Sequence, residues 1–156
     1  MIHLFDTNIV LIYLRDLPAK QIIESVYNPF SSENRTVISV VTVGELKAIA
    51  LKNKWGVLKI EKLEAFILKC IVADINLKDT INRYAEIDAF SQGRLDSKKS
   101  NFTARNMGKN DLWIAATASL LNLQMITTDN DFDHLENSYL PLQKVTARQI
   151  KKHFGL

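Results

Sequence analysis

Short apolar runs that alternate with longer amphipathic segments constrain the fold of this chain more than any other feature. The runs cover residues 2–5, 36–40, 70–73, 124–128 and 143–146. They are too short for helices, and most are rich in Val, Ile or Thr, which is typical of strands. Strands that alternate with helices pair in parallel, because the helical crossovers cover both faces of the sheet. We therefore expect an α/β protein with four or five parallel strands.

Apolar residues at helical spacing predict helices between these strands. The helices are expected near residues 7–14, 18–27, 42–54, 61–69, 77–90 and 111–121. Pro18 suits the first turn of the second helix, and Gly56 suits the end of the third. The last helix is apolar on most sides, as expected for a helix pressed against a sheet.

The size and composition of the chain fit one compact domain over residues 1–156. The chain is 47% hydrophobic and 24% charged, which allows one continuous core. The start lacks the basic region of a signal peptide, and no apolar run approaches the roughly 20 residues of a membrane span. The expected location is therefore the cytoplasm. The single cysteine, Cys70, is expected to pack as a small buried hydrophobe.

Four acids lie where parallel sheets bind ligands. Asp6 directly follows the first predicted strand, and Asp129 directly follows the fourth. Glu45 lies at the start of the helix after the second strand, and Asp111 opens the apolar helix before the fourth. Because ligands bind at the carboxyl ends of parallel strands, these side chains are expected to meet at one edge.

Each of these acids also has a purely structural explanation. Asp6 could cap the helix that follows it, and Glu45 could close a capping box. Asp111 would stabilise a helix N-terminus beside the capping candidate Asn110. Asp129 could be an ordinary turn residue. Each explanation is favoured for a single acid, but the convergence of all four favours a shared site.

A cluster of four carboxylates predicts a bound cation. Carboxylates about 4 to 6 Å apart repel by roughly 3 to 4 kcal/mol per pair at an intermediate effective dielectric constant. A fold that gathers them requires a compensating positive charge. Oxygen ligands without a neighbouring His or Cys suit Mg²⁺ or Mn²⁺ rather than zinc.

Four motifs resemble those of PIN domains and, within that family, those of the VapC-type toxins of bacterial and archaeal toxin–antitoxin pairs. They are Leu-Phe-Asp-Thr-Asn at 4–8, Val-Gly-Glu-Leu at 43–46 after Ser39, Asn-Asp-Leu-Trp-Ile-Ala-Ala at 110–116, and Ile-Thr-Thr-Asp-Asn-Asp-Phe at 126–132. The resemblance implies a three-layer α/β/α sandwich, a metal-dependent endoribonuclease activity, and a homodimer inhibited by a cognate antitoxin. It also implies particular site residues: an acidic quartet of Asp6, Glu45, Asp111 and Asp129, an auxiliary Asp131, and the small polar residues Thr7, Asn8 and Thr127 that orient the carboxylates.

These residues support the hypothesis that water activated on one or two Mg²⁺ ions hydrolyses an RNA phosphodiester. Asp6 and Asp129 would bind the main ion. Asp111 would bridge or hold a water ligand, and Glu45 would position the attacking water or a second ion. Single-stranded or looped RNA is the expected substrate, because a recessed cluster reaches a regular duplex poorly. The resemblance implies products with 5′-phosphate and 3′-hydroxyl ends.

The segment from Gly93 to Lys109 is basic. It carries Arg94, Lys98, Lys99, Arg105 and Lys109 against the single acid Asp96. It could be a solvated loop or a loop that contacts RNA phosphates, and Phe102 within it could stack on a base or pack internally. A second basic cluster is expected to form an exposed helix face and consists of Lys144, Arg148, Lys151, Lys152 and His153.

Two other classes of protein compete with the nuclease. A catalytically silent module with the PIN fold would bind RNA or a partner without cleavage, but the four retained acids argue against it. A nucleotide-binding α/β protein would need a glycine-rich phosphate loop after the first strand. This chain has Asp6, Thr7 and Asn8 at that place instead.

Overall fold

The structure is a computed structural model that describes residues 1–15 and 17–146, and strands alternate with helices through that part of the chain. The strands are β1 (Ile2–Phe5), β2 (Arg35–Ser39), β3 (Ile71–Ala73), β4 (Gln124–Thr127) and β5 (Leu142–Lys144). The helices are α1 (Thr7–Arg15), α2 (Leu17–Tyr27), α3 (Val40–Lys52), α4 (Val57–Lys69), α5 (Lys78–Ser91) and α6 (Lys109–Leu120), and a 3-10 helix covers Asn130–Leu135. No helix in the described ranges is long and apolar enough to cross a membrane.

The five strands form one parallel sheet in the order β3-β2-β1-β4-β5. The central strand β1 lies between β2 and β4, and its Leu4 is in register with Val37 on one side and Met125 on the other. The carboxyl ends of these three strands therefore lie side by side. This arrangement confirms the predicted parallel sheet and brings the residues that follow β1 and β4 together.

Helices cover both faces of the sheet, as the α/β/α prediction requires. Successive residues of a strand point to opposite faces, so Leu4 joins one hydrophobic cluster and Phe5 the other. On the first face α5 packs along α6, with the Tyr84 and Trp113 rings 4.3 Å apart between centroids. On the second face α1 to α4 contribute the fully buried side chains of Ile9, Ile23, Leu46 and Leu63.

The helix boundaries around α3 and α4 differ from the sequence prediction. Strand β2 ends at Ser39 and not at residue 40, because the Ser39 hydroxyl accepts the Val41 amide proton at 3.1 Å and caps α3. Glu45 therefore lies in the second turn of α3, and the capping-box explanation for it is wrong. Gly56 is the N-cap of α4 rather than the end of α3. The reversal between the helices instead uses Lys54 at a φ of 51°.

The 3-10 helix after β4 was not predicted. The Asp129 side chain caps it by accepting the Asp131 amide proton at 2.9 Å. Phe132 and Leu135 are fully buried, and their spacing of three residues matches the 3-10 period rather than that of an α-helix. The polar residues around them hide this short apolar pattern in the sequence. The turn fixes the backbone of the segment that carries Asp129 and Asp131.

Candidate metal centre

Asp6 is the most buried acid of the candidate site. It follows β1 directly and is only 3% exposed. Its Oδ1 accepts the Thr7 amide proton and its Oδ2 accepts the Thr127 hydroxyl proton, both at 2.7 Å. Burial raises the pKa of Asp6 to about 6, the bonds from Thr127 and Thr7 oppose this, and the negative charges of Asp129 and Glu45 add to the rise. The carboxyl is thus held in place by neutral donors.

The Thr127 hydroxyl joins two of the acids. Thr127 ends β4 and is fully buried. Its Oγ1 donates to Asp6 Oδ2 and accepts the Asp129 amide proton at 3.0 Å. One hydroxyl therefore sets the position of the Asp6 side chain and of the Asp129 backbone across two neighbouring strands.

Thr7 connects Glu45 to the same site. Its Oγ1 donates to Glu45 Oε1 at 2.8 Å, and the buried Thr42 Oγ1 lies 3.1 Å from it. The second turn of α3 places Glu45 over the start of α1, because α3 begins at the carboxyl end of β2 beside β1. Sequence reasoning considered Thr42 only as the first residue of the capping box that would end at Glu45. Its spacing of three residues before Glu45 puts both side chains on one face of α3.

Three carboxylates form the tightest group. Asp111, Asp129 and Asp131 each offer one oxygen, and these oxygens lie within 4.8 Å of one another. Burial raises the pKa of Asp111 to about 7, with further contributions from the negative charges of Asp6, Asp129, Glu45 and Asp131. The four acids of the expected quartet therefore lie close enough for the charges of the other three to raise the pKa of Asp111. Asp131 belongs to the same group.

The start of α6 differs from the sequence prediction. Gly108, not Asn110, is the N-cap, and Asp111 lies in the first turn. A Cβ at Gly108 would lie 3.4 Å from Asp111 Oδ2. This distance is an ordinary contact, so Gly108 and the Asp111 carboxylate are neighbours, and the helix N-terminus favours the negative charge of Asp111.

The remaining polar and basic residues that the sequence analysis singled out differ in their contacts. Asn8 is exposed and has no hydrogen bond to the acids within the described ranges. Lys98 donates to the Ser138 carbonyl at 2.6 Å and lies 4.1 Å from the Tyr139 ring centroid, so its ammonium is used in packing. Phe102 packs against the rings of Phe90 and His134, which favours the packing alternative for it.

The remaining basic residues are more accessible. Arg94, Lys99, Arg105 and Lys109 are exposed. In the second basic cluster, the helix-face prediction is wrong for Lys144, which lies in β5, pairs with Asp133 at 2.9 Å and contacts Asn130. The expected helix face formed by Arg148, Lys151, Lys152 and His153 lies outside the described residues.

The fold and the site define an α/β/α protein with an acidic cluster at the carboxyl edge of a parallel sheet. The family model of the PIN domain matches residues 4–137, and the chain belongs to the PIN domain family. The expected resemblance to this family is thereby confirmed. No curated protein matches the chain in sequence.

Several solved structures share this fold. VapBC2 from Rickettsia felis, bound to a DNA fragment from its promoter, contains a chain 22% identical with a TM-score of 0.71. VapBC-1 from nontypeable Haemophilus influenzae contains one 26% identical with a TM-score of 0.70. Both alignments cover 92% of this chain and 98% of the other. A toxin–antitoxin complex from Klebsiella pneumoniae is 23% identical over 92% of this chain and 96% of that one, with a TM-score of 0.62. The likeness to VapC-type PIN proteins is thus confirmed.

Replacement of Thr127 by valine is expected to weaken binding of a divalent ion about 10- to 100-fold. Valine has nearly the same shape, but it removes the donor to Asp6 and the acceptor of the Asp129 amide proton. Titration calorimetry with Mn²⁺ measures the affinity. Thr127→Ser keeps the hydroxyl and is the matched control, so equal affinity of the valine and serine variants would contradict the role assigned to this hydroxyl.

Proposed function

We propose that this protein is a Mg²⁺- or Mn²⁺-dependent endoribonuclease of the VapC type. The observation that carries the proposal is the cluster of three carboxylates within 4.8 Å, with the raised pKa values of Asp6 and Asp111 beside it. Carboxylates this close to one another repel, and a bound divalent cation relieves that repulsion. Membership of the PIN domain family supports the same assignment.

The donor set fits a hard cation. Asp111, Asp129 and the auxiliary Asp131 supply carboxylate oxygens within 4.8 Å of one another, and the nearby Asp6 would complete the set. Such oxygens suit Mg²⁺ or Mn²⁺. When bound, such an ion lowers the pKa of water and neutralises charge that develops on the phosphoryl and leaving oxygens. The hydroxyls of Thr7 and Thr127 fix the directions of the carboxylates before any ion binds.

Glu45 is suited to direct the attacking water. Its Oε1 accepts the Thr7 hydroxyl proton, which fixes the side chain and leaves Oε2 able to accept a proton from water. The water oxygen attacks phosphorus while the bond from phosphorus to the 3′ oxygen breaks. The leaving oxygen then takes up a proton. The products carry 5′-phosphate and 3′-hydroxyl ends.

The substrate is single-stranded or looped RNA. The reacting groups lie at the edge of the sheet, and Asp6 among them is nearly inaccessible to solvent. A regular duplex presents its phosphodiesters on a stiff cylinder that fits such a recess poorly, whereas an unpaired strand bends into it.

Sequencing of RNA ends tests this function. Total RNA is incubated with the purified protein or with Asp111→Asn, each in Mg²⁺ and in EDTA. New 5′-phosphate ends are expected only with the wild type in Mg²⁺. Identical end profiles in all four reactions would contradict the proposal and would favour a catalytically silent RNA- or partner-binding module.

An antitoxin is the proposed protein partner, and a groove between α1, α2 and α4 is suited to it. The rings of Tyr13, Phe30 and Phe66 form its floor, with centroids 5.2 to 5.9 Å apart. Its rim is basic and comprises Arg15, Lys20, Lys62 and Lys69. This pattern fits a partner segment with apolar anchors between acidic side chains. The likeness to a chain of a toxin–antitoxin complex supports such a partner. Separately, we propose that the protein forms a homodimer.

Charge reversal at this rim is expected to weaken antitoxin binding at least about tenfold. The test identifies a small reading frame beside the gene, co-expresses its product with the protein, and measures affinity for the wild type and for Lys62→Glu/Lys69→Glu. Lys78→Glu/Lys99→Glu changes the same net charge outside the groove and is the control. Equal affinities of the two double variants would contradict this location.

A further inference from the structure

Two recesses contain acids of the carboxylate cluster, and the segment of residues 105–111 contributes to both: residues 105–107 line the first and residues 108–111 line the second. The first is formed by Arg105, Asn106, Met107, Asn130 and Asp131. The second is formed by Glu45, Gly108, Lys109, Asn110 and Asp111. Each recess therefore combines one cation, at least one side-chain amide and at least one acid of the cluster. We call residues 105–109, which line parts of both recesses, the ledge.

The two cations of the ledge are available to a ligand. Within residues 1–15 and 17–146, neither Arg105 nor Lys109 forms an ion pair. A strand of nucleic acid that approaches the acids is repelled by them, and a cation on each side offsets this repulsion. The amides of Asn106 and Asn110 add donors for phosphate or sugar oxygens in the same recesses.

The ledge is held against the body of the protein. The Arg105 amide donates to the Ser91 carbonyl at 2.7 Å, and the fully buried Ser91 hydroxyl contacts His134 Nε2 at 2.7 Å and Met107 Sδ at 3.3 Å. Arg105 Nη1 donates to the Asn130 carbonyl at 3.1 Å. These contacts position the guanidinium beside the loop that carries Asp131 before any ligand binds, which lowers the entropy cost of binding.

The other basic residues of the 93–109 segment do not line either recess. Lys98 is held by Ser138 and Tyr139. Arg94 and Lys99 are exposed but line neither recess. The five basic residues of residues 93–109 are therefore not equivalent, although their charges are the same.

On the basis of the proposed nuclease function, we propose that Arg105 and Lys109, alone among the basic residues of 93–109, contact phosphates of a single RNA strand that crosses the cluster. Arg105 holds the strand on the Asp131 side of the scissile phosphate, and Lys109 holds it on the Glu45 side. Arg94 and Lys99 make no comparable contact, and Lys98 serves packing. The two ledge cations are positioning residues for the substrate.

Fluorescence anisotropy tests this assignment. The probe is a labelled single-stranded RNA of about 12 nucleotides, in EDTA so that cleavage does not interfere. Arg105→Gln and Lys109→Gln are each expected to weaken binding about three- to tenfold and to reduce the slope of log affinity against log salt by about 0.7. Arg94→Gln and Lys99→Gln remove the same charge and are expected to change affinity less than about twofold. Arg105→Lys keeps the charge and is expected to retain most of the affinity.

Two results would overturn the assignment. One is an equal loss of RNA affinity in all four glutamine variants, which would show that affinity depends on net charge and not on the position of the cation. The other is wild-type affinity and salt slope in Arg105→Gln and Lys109→Gln. A parallel assay of Mg²⁺-dependent cleavage with wild type and Asp129→Asn reports on the nuclease function separately. A result that contradicts the phosphate contacts of Arg105 and Lys109 is thereby distinguished from one that contradicts the nuclease proposal.

Discussion

Asp129→Asn is expected to reduce the rate of Mg²⁺-dependent RNA cleavage by about 100- to 1000-fold while the fold is retained. Asparagine keeps a side-chain oxygen that accepts the Asp131 amide proton, so the cap of the 3-10 helix is preserved. It removes the negative charge from the group formed with Asp111 and Asp131. A neutral amide binds a hard divalent cation much more weakly than a carboxylate does.

Initial rates on one structured RNA, with wild type and variant at saturating Mg²⁺, measure this effect. Asp133→Asn is the matched control, since Asp133 lies in the same 3-10 helix, carries the same charge and pairs with Lys144 rather than with the cluster. Its rate is expected to stay within about twofold of the wild type, because an exposed ion pair contributes little. Similar rates for the two variants would contradict the assigned site.

Asp111→Asn is expected to stabilise the metal-free protein and to abolish its stabilisation by Mg²⁺. Burial and neighbouring acids raise the pKa of Asp111 from 3.8 to about 7 in the folded state. At about 1.4 kcal/mol per pH unit between the two pKa values, the cost of ionisation reaches about 4 kcal/mol, and partial exposure reduces it to about 2 kcal/mol. Asparagine removes this cost.

The expected pH dependence has a definite sign. Because the folded pKa values of Asp6 and Asp111 exceed the unfolded ones, their contribution to stability is fully present below about pH 4. It is lost as the pH rises through about 6 for Asp6 and about 7 for Asp111. The advantage of Asp111→Asn in EDTA should therefore be small at low pH and reach its full value above pH 7.

Urea unfolding in EDTA and in Mg²⁺, at several pH values, measures both effects. Added Mg²⁺ is expected to stabilise the wild type more as the pH rises, because protons compete with the ion for the carboxylates. Asp96→Asn, in the exposed loop after α5, is the charge-matched control. A loss of stability in Asp111→Asn without metal would show that this carboxylate is satisfied within the protein and needs no cation.

The elements that position the site could be predicted because local sequence and global fold agree there. Asp6 and Asp129 directly follow runs whose β-branched and apolar residues are buried on both faces, as in any parallel sheet. The shared edge then follows from the parallel pairing alone. Strand position alone places both acids at this edge, and the pairing of β1 with β4 makes them neighbours.

The local caps could not be predicted because several polar residues compete for each helix start. Ser39 lies in β2 as predicted, but its hydroxyl also caps α3, which the sequence analysis did not predict. Asn110 has a better capping side chain than Gly108, but α6 begins at Lys109 and Gly108 is its N-cap. A sequence pattern locates a helix start only to within one or two residues.

The individual roles of the basic residues were hidden for the same reason. Lys98 and Lys99 are adjacent and chemically identical, but only Lys98 reaches the Ser138 carbonyl and the Tyr139 ring. Both partners lie about 40 residues further along the chain. Charge along the sequence indicates a basic segment, and only the fold separates its packing lysine from its exposed cations.

Anomalous diffraction from crystals soaked in Mn²⁺ tests the central claim most directly, since it locates the ion without reference to activity. A peak is expected about 2.1 Å from carboxylate oxygens of Asp6, Asp129 or Asp111. The same soak of Asp129→Asn crystals should lose or weaken it. Well-ordered wild-type crystals without a Mn²⁺ peak among these acids would contradict the account.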